Sequence, residues 1–240
     1  MNNFNKLLKN EIDINQILLT SFQNRQDLLL TYFNQHCFNN YIEDKKYRTI
    51  LHQKFTVFVD GVGVYFALKF LGYKDVERFN ATDYFTKLFL QFSKDQNSIF
   101  IIGGNFSHKL IKEKSNSLKL NISGYKNGYF LDSEPTEIAD EINQSKPDYI
   151  VIGMGVPHQE IFAFQLASKI NNHIILCVGN FLEFYFETQK RAPLLFRKIG
   201  LEWLFRLLID PVRLWRRYVI GIPLFIIRII KLKFNQQLAN

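Results

Sequence analysis

The residue best placed to do chemistry is Asp60, which follows the apolar run Phe55-Thr-Val-Phe-Val59 and opens Asp60-Gly-Val-Gly63. The run reads as a buried strand and the glycines as a turn into a helix, so the carboxylate stands at a strand end. There it can act as a general base if it faces a pocket. A turn or helix-capping aspartate with no chemistry fits the same spacing. A dinucleotide site is disfavoured, because Phe66 stands where the third glycine of Gly-x-Gly-x-x-Gly belongs.

Two further turns let backbone approach a ligand: Gly103-Gly104 and Gly153-Met-Gly155-Val-Pro157. Pro157 suits the first turn of a helix, whose free N–H groups favour phosphate. Glu160, in that same turn, would oppose an anion on the helix axis, so a sugar hydroxyl or base edge fits as well as a phosphate. Ordinary strand–helix turns are the plain alternative. His36, His52, His108, His158 and His173 show no metal-ligand spacing, and Cys37 and Cys177 form no Cys-x-x-Cys. Asp132-Ser-Glu134 is the nearest approach to a metal-holding acidic pair and reads as a solvated loop. No metal and no cofactor is expected, and the two cysteines read as reduced, buried thiols.

These residues need elements to hold them. Strand, glycine turn and helix recur from Phe55 to Asn180: Ser98–Ile102, Leu118–Ser123, Tyr149–Ile152 and His173–Val178 are the later strands. A polar turn is expected at Tyr125–Gly128, and helices over about 136–144 and from Pro157 to about Ile170. Residues 1–53 carry apolar residues at helical spacing, Leu28, Leu29 and Leu30 among them, and predict helices with one short strand. The pattern is that of an α/β, Rossmann-like parallel sheet with helices on both faces. Ligands of such sheets bind at the carboxyl ends of the strands, where all the glycine turns fall.

After Gln189 the rhythm stops. From Lys190 onward eleven basic residues face only Glu202 and Asp210, a net +9, while the other 189 residues hold 19 basic and 20 acidic groups. Arginine and tryptophan alternate with long aliphatics, Pro211 separates two amphipathic helices, and Gly221 and Pro223 precede a third. The apolar run is too short to span a bilayer. Basic amphipathic helices with boundary tryptophans lie in the headgroup layer of anionic membrane. A nucleic-acid site would want solvated Lys and Arg instead of Ile-Ile-Arg-Ile-Ile, so no nucleic acid is expected. The opening MNNFNKLLKNEIDIN has no apolar core of a secretory signal. The expected division is a body over residues 1–190 and a basic helical membrane-docking appendage over 191–240.

In order along the chain stand Asp60-Gly-Val-Gly-Val64, Glu77-Arg78-Phe-Asn-Ala-Thr-Asp83, Gly103-Gly104, Asn127-Gly-Tyr-Phe130, Gly155-Val-Pro-His-Gln-Glu160 and Arg191-Ala-Pro193. Arg197-Lys-Ile-Gly-Leu-Glu-Trp-Leu-Phe-Arg206 and Asp210-Pro-Val-Arg-Leu-Trp-Arg-Arg-Tyr218 close the series. From about Asn34 to Phe225 this resembles the WecG/TagA/CpsF family of bacterial glycosyltransferases. Departures from the family pattern are Tyr32, Ala81, Asn127, His158 and the block Gly179-Asn-Phe-Leu-Glu-Phe184.

The resemblance implies a metal-independent, inverting transferase. Its donor would be a UDP-sugar, with N-acetylmannosamine as the family's best-known sugar, and its acceptor an undecaprenyl-diphosphate-linked sugar. Asp60 then resembles the general base. Asn34, Arg78, Thr82, Asp83, Gly103, Gly104, Gly155, Gln159 and Glu160 resemble positions around donor and acceptor. Arg191, Arg206, Arg213, Arg216 and Arg217 would meet the diphosphate or an anionic membrane surface. The implied location is peripheral, on the cytoplasmic face of the inner membrane, and a homo-oligomer is compatible with the pattern. A membrane-attached nucleotide-binding scaffold without turnover is the alternative.

Overall fold

Apolar runs with little polar interruption fit strands covered on both sides, and such runs build the central strands of the sheet here. The computed structural model describes residues 8–74, 76–77, 79–129 and 135–238; Arg78, Asp132 and Glu134 lie outside them. The strands are β1 (Leu8–Lys9), β2 (Leu28–Phe33), β3 (Phe55–Val59), β4 (Ser98–Gly103), β5 (Asn121–Lys126), β6 (Tyr149–Gly153) and β7 (Ile174–Cys177). They form one sheet in the order β1-β3-β2-β7-β6-β4-β5, parallel throughout. Every strand therefore delivers its following turn to the same edge.

Helices α1 (Glu11–Asn24), α2 (Gln35–Glu43), α3 (Lys45–Lys54), α4 (Val62–Leu71) and α5 (Ala81–Asp95) belong to the first half. The second half adds α6 (His108–Leu118), α7 (Pro135–Ser145), α8 (His158–Ala167) and α9 (Phe181–Tyr185). Asparagines cap two of the helices that begin at the site edge: Asn34 Oδ1 accepts from the N–H groups of His36 and Cys37, and Asn80 Oδ1 from Asp83. Phe33, Phe58, Phe85 and Phe89 are fully buried in the core.

Three expectations change. Leu28–Phe33 is a strand, not part of a helix: all six residues are buried between β3 and β7. An unbroken apolar run carries no periodicity to distinguish the two, and two covered faces settle it. β5 begins at Asn121 and continues through Lys126, so the expected polar turn is partly strand. At the C-terminus α10 (Leu194–Lys198) and α11 (Glu202–Ile209) lead to α12 (Pro211–Trp215), and no break separates α12 from α13 (Gly221–Leu238). A π-helical turn, Arg216–Ile220, joins them, and the Gly221 N–H reaches back to Arg216 O. Pro223 has no N–H for an α-helical bond, and a local widening absorbs that loss.

The tail packs on the body through α13. Phe225 and Ile229 enter the main core, with Phe225 edge-on to Phe38 at 5.2 Å between ring centroids. Arg228 donates to Asn39 O and Oδ1 at 3.2 and 3.1 Å and pairs with Glu43 at 2.6 Å. Asn39 Nδ2 in turn donates to Gly221 O at 2.8 Å. Removing the whole tail would thus strip part of the core as well as the charge. Phe225→Ala is expected to lower folding stability by about 3–5 kcal/mol, read from urea denaturation; a loss below about 1 kcal/mol would mean α13 rests on the body without sharing its core.

Candidate active site

At the carboxyl edge of the sheet two cavities meet. A polar one of about 210 Å³ opens over the ends of β2, β4, β6 and β7, with Gly104, Gly155, Gly179 and Asn180 in its wall. An apolar one of about 560 Å³ runs between α4 and the tail, lined by Phe66, Phe70, Trp203, Phe225 and Ile226 among others. Asn34, Asp60, Thr82, Arg206 and Arg217 border both.

Asp60 stands at this junction because β3 ends there and Gly61, at φ +82°, turns the chain into α4. Its Oδ1 accepts from the Ala81 N–H at 3.0 Å, and the Asn34 amide lies 3.5 Å from Oδ2. Burial raises its proton affinity above that of a free aspartate. The Ala81 N–H opposes this, Glu202 adds to it, and Asn34 and Arg217 lower it. A carboxylate tuned upward by burial is what a general base working near neutrality needs.

Glycines are required where backbones nearly touch. A Cβ on Gly103, whose φ is +131°, would collide with Gly153 O in the neighbouring strand. A Cβ on Gly179, at φ +58°, would strike the hydroxyl of Tyr32, which lines the polar cavity beside it.

Arg206, Arg213 and Arg217 reach the polar cavity from α11, α12 and the π-turn. Buried Arg217 Nε has no hydrogen-bond partner among the described residues, an arrangement suited to an anion entering from the cavity. Arg206 stacks on Phe184, 5.3 Å from the ring centre. Glu183, in the same wall, is pushed upward in proton affinity by burial, which Arg213 and Arg206 oppose.

Other expected site residues lie elsewhere. Gln159 and Glu160 are wholly buried beneath the floor. Glu160 Oε1 accepts from Thr31 Oγ1 at 2.7 Å and from Gln159 Nε2 at 2.8 Å, while Gln159 Oε1 accepts from Gly179 N at 2.9 Å. They brace β2 against the turn after β7. Gly103 is likewise a packing position behind the wall. Asp83 is at the surface, paired with Arg191 at 2.8 Å and Arg197 at 3.5 Å. Arg191 borders neither cavity. Arg216 lies over Trp215. Tyr129 and Trp203 were not foreseen as site residues, and Glu183 and Phe184 stood out only as part of the divergent block Gly179–Phe184, not as named site residues. Glu183 and Phe184 follow the Gly179-Asn180 turn closely, so the strand-end rule pointed to their position without marking their side chains. Phe66, Phe70 and Ile226 carry only an apolar signal, which core and ligand groove share.

The Glycosyl transferase WecG/TagA/CpsF family model matches residues 4–239. The chain belongs to this family. It is a glycosyltransferase, and no helix among its described residues is long and apolar enough to cross a membrane. It is 29% identical over 195 residues, 79% of this chain and 74% of the relative, to an N-acetylglucosaminyldiphosphoundecaprenol N-acetyl-beta-D-mannosaminyltransferase of Bacillus spizizenii. To the Staphylococcus aureus protein of the same name it is 27% identical over 214 residues, 88% of this chain and 83% of that one.

Burial pushes the Glu160 carboxyl up to about 7 from 4.5, against the bonds from Gln159 and Thr31. The folded protein holds this proton more tightly than the unfolded chain. Glu160 therefore favours folding fully below about pH 4.5, and that contribution, about 3 kcal/mol, is lost as pH rises through about 7. Glu160→Gln should remove this slope: in urea titrations its stability relative to wild type is expected to improve from pH 4.5 to pH 8. A difference constant with pH would contradict the assignment.

Proposed function

We propose that the protein transfers a sugar, N-acetylmannosamine being the first candidate, from a UDP-sugar to an N-acetylglucosaminyl-diphosphate-polyprenol at the cytoplasmic face of the membrane. The acceptor follows the names of the relatives, and the products serve cell-envelope polymers. The observation that carries this reading is the meeting of a polar and an apolar cavity at Asp60, Arg206 and Arg217.

The donor diphosphate fits the polar cavity, where planar guanidinium groups can grip phosphate in bidentate fashion. The isoprenoid stem of the acceptor fits the apolar groove. Asp60, between them, takes the proton of the attacking acceptor hydroxyl. The hydroxyl oxygen forms a bond to the anomeric carbon as the bond from that carbon to the diphosphate oxygen breaks. UDP leaves with the electron pair, and Arg206, Arg213 and Arg217 stabilise its added charge. Attack opposite the leaving group inverts the anomeric centre. Arginines carry the charge that a metal ion carries in other nucleotide-sugar enzymes, so the step is metal-independent.

Residues 191–240 serve as the docking appendage. Exposed Leu208, Val212, Trp215 and Val219 alternate with Arg213 and Arg216 on α12 and its neighbours. Such a face seats in the headgroup layer of anionic membrane. Arg191, Arg197, Arg213 and Arg228 already face acidic partners, so the attraction is weaker than the +9 charge alone implies.

Asp60→Asn, assayed as UDP release with UDP-N-acetylmannosamine, lipid acceptor and EDTA present, is expected to fold normally and lose about 10²–10⁴-fold in turnover. Activity within a few-fold of wild type would remove Asp60 from the mechanism. Changing Arg213, Arg216 and Arg217 together to Ala keeps the apolar face. At about 1 kcal/mol per basic group near an anionic surface, binding to anionic vesicles should weaken about a hundredfold. Turnover should fall with it; unchanged binding and unchanged rate would refute the role given to the tail.

A further inference from the structure

We propose that Arg191 is a positioning residue that ties the segment holding Asp60 to the tail and balances the two carboxylates beside it, a role that rests on the reading of Asp60 as the base. Arg191 stands before buried Ala192, and its own side chain is 20% exposed. Its Nη1 lies 2.8 Å from Asp83 Oδ1, and its Nη2 donates to Asn80 Oδ1 at 3.2 Å. Its Nε lies 3.9 Å from Glu202 Oε1, an ion-pair distance beyond a hydrogen bond. One guanidinium thus joins the cap and first turn of α5 to the first residue of α11.

Both partners lead to Asp60. Asn80 is flanked by Ala81, whose N–H bonds Asp60 Oδ1 at 3.0 Å, and by Phe79, whose carbonyl accepts from Gly61 N at 3.1 Å. The segment 79–81 therefore grips Asp60 on one side and is gripped by Arg191 on the other. Glu202 opens the helix that carries Arg206 to the cavity junction and itself lines the apolar groove beside Asp60. Arg191 borders neither cavity, so it acts through these neighbours and not by touching a donor.

The charges have a matching logic. Around Asp60 stand Glu202 from α11, Arg217 from the π-turn, the Asn34 amide from the start of α2 and the Ala81 N–H. Glu202 raises the proton affinity of Asp60, and Arg217 lowers it. Around Arg191 stand Asp83, Glu202 and Asn80, and Arg197 shares Asp83 at 3.5 Å. Removing Arg191 leaves Glu202 without this cation and Asp83 with Arg197, so negative charge near Asp60 is less compensated. Asp60 should then hold its proton to higher pH. A lysine cannot repair the site, because a single ammonium lacks the rigid fork that reaches Asn80, Asp83 and Glu202 together.

The test is titration of the Asp60 carboxyl, followed by ¹³C NMR and identified by its loss in Asp60→Asn. Measured on the full chain, it does not depend on turnover. Arg191→Ala should move this titration to higher pH and Glu202→Gln to lower pH. The double variant should return towards wild type. Turnover of Arg191→Ala should fall about tenfold or more from misplacement of the base, with UDP affinity by calorimetry within about threefold of wild type. Arg191→Lys should recover little of the rate. An Asp60 titration unmoved in Arg191→Ala, or UDP affinity falling as far as the rate, overturns the proposal; the second result would make Arg191 a phosphate ligand. If Arg191→Ala fails to fold, Arg191→Gln, which also removes the charge, and Glu202→Gln carry the same titration. Normal turnover in Asp60→Asn would sink the base reading alone, while the titration still decides the coupling.

Discussion

A carboxylate at a partly buried strand end has to be held and kept ionisable at the same time, and the surroundings of Asp60 meet both demands. The Ala81 N–H fixes one oxygen, and Gly61 N–H to Phe79 O fixes the turn that carries it. Burial raises the proton affinity, Glu202 adds to this, and the Ala81 N–H, Asn34 and Arg217 oppose it. None of these neighbours is close to Asp60 in sequence. Asn34 lies 26 residues away and Ala81 21, while Arg217 comes from the tail. The site exists only when the parallel sheet has put the ends of β2 and β3 side by side and the tail has folded over them.

The floor shows the same economy of means. Glu160, in the first turn of α8, could have spoiled an anion site, yet its side chain turns inward to Thr31 and Gln159. The acid is thereby removed from the cavity and used to brace β2 against Gly179. Burying it raises its proton affinity, and a carboxyl held at about 7 is partly neutral under physiological conditions.

The tail has two faces. Phe225, Ile229 and Arg228 fasten α13 to α2 and the core. Leu208, Val212 and Val219 remain exposed. Under the proposed function, a segment that is core on one face and exposed apolar surface on the other would link the completeness of the cavity to docking on a membrane.

The sequence by itself determined the sheet class, most strand positions, the glycine turns and the basic tail. Strand–turn–helix alternation and charge counting are local signals, and the first also located Asp60 at the site edge; Asn34 and Thr82 were implied only by the family resemblance. It could not separate strand from helix at Leu28–Leu30, because a run apolar at every position has no period. Nor could it divide Arg206, Arg213 and Arg217, which reach the cavity, from Arg191, which holds Asn80, Asp83 and Glu202. All four arginines look alike in a basic segment. Their roles depend on which acceptors lie within a few ångströms, and those come from residues more than a hundred positions earlier as well as from the tail. Tertiary structure likewise decided that Gln159 and Glu160 lie under the floor: helix phase turns a side chain inward or outward, and only the packed sheet defines which direction is in.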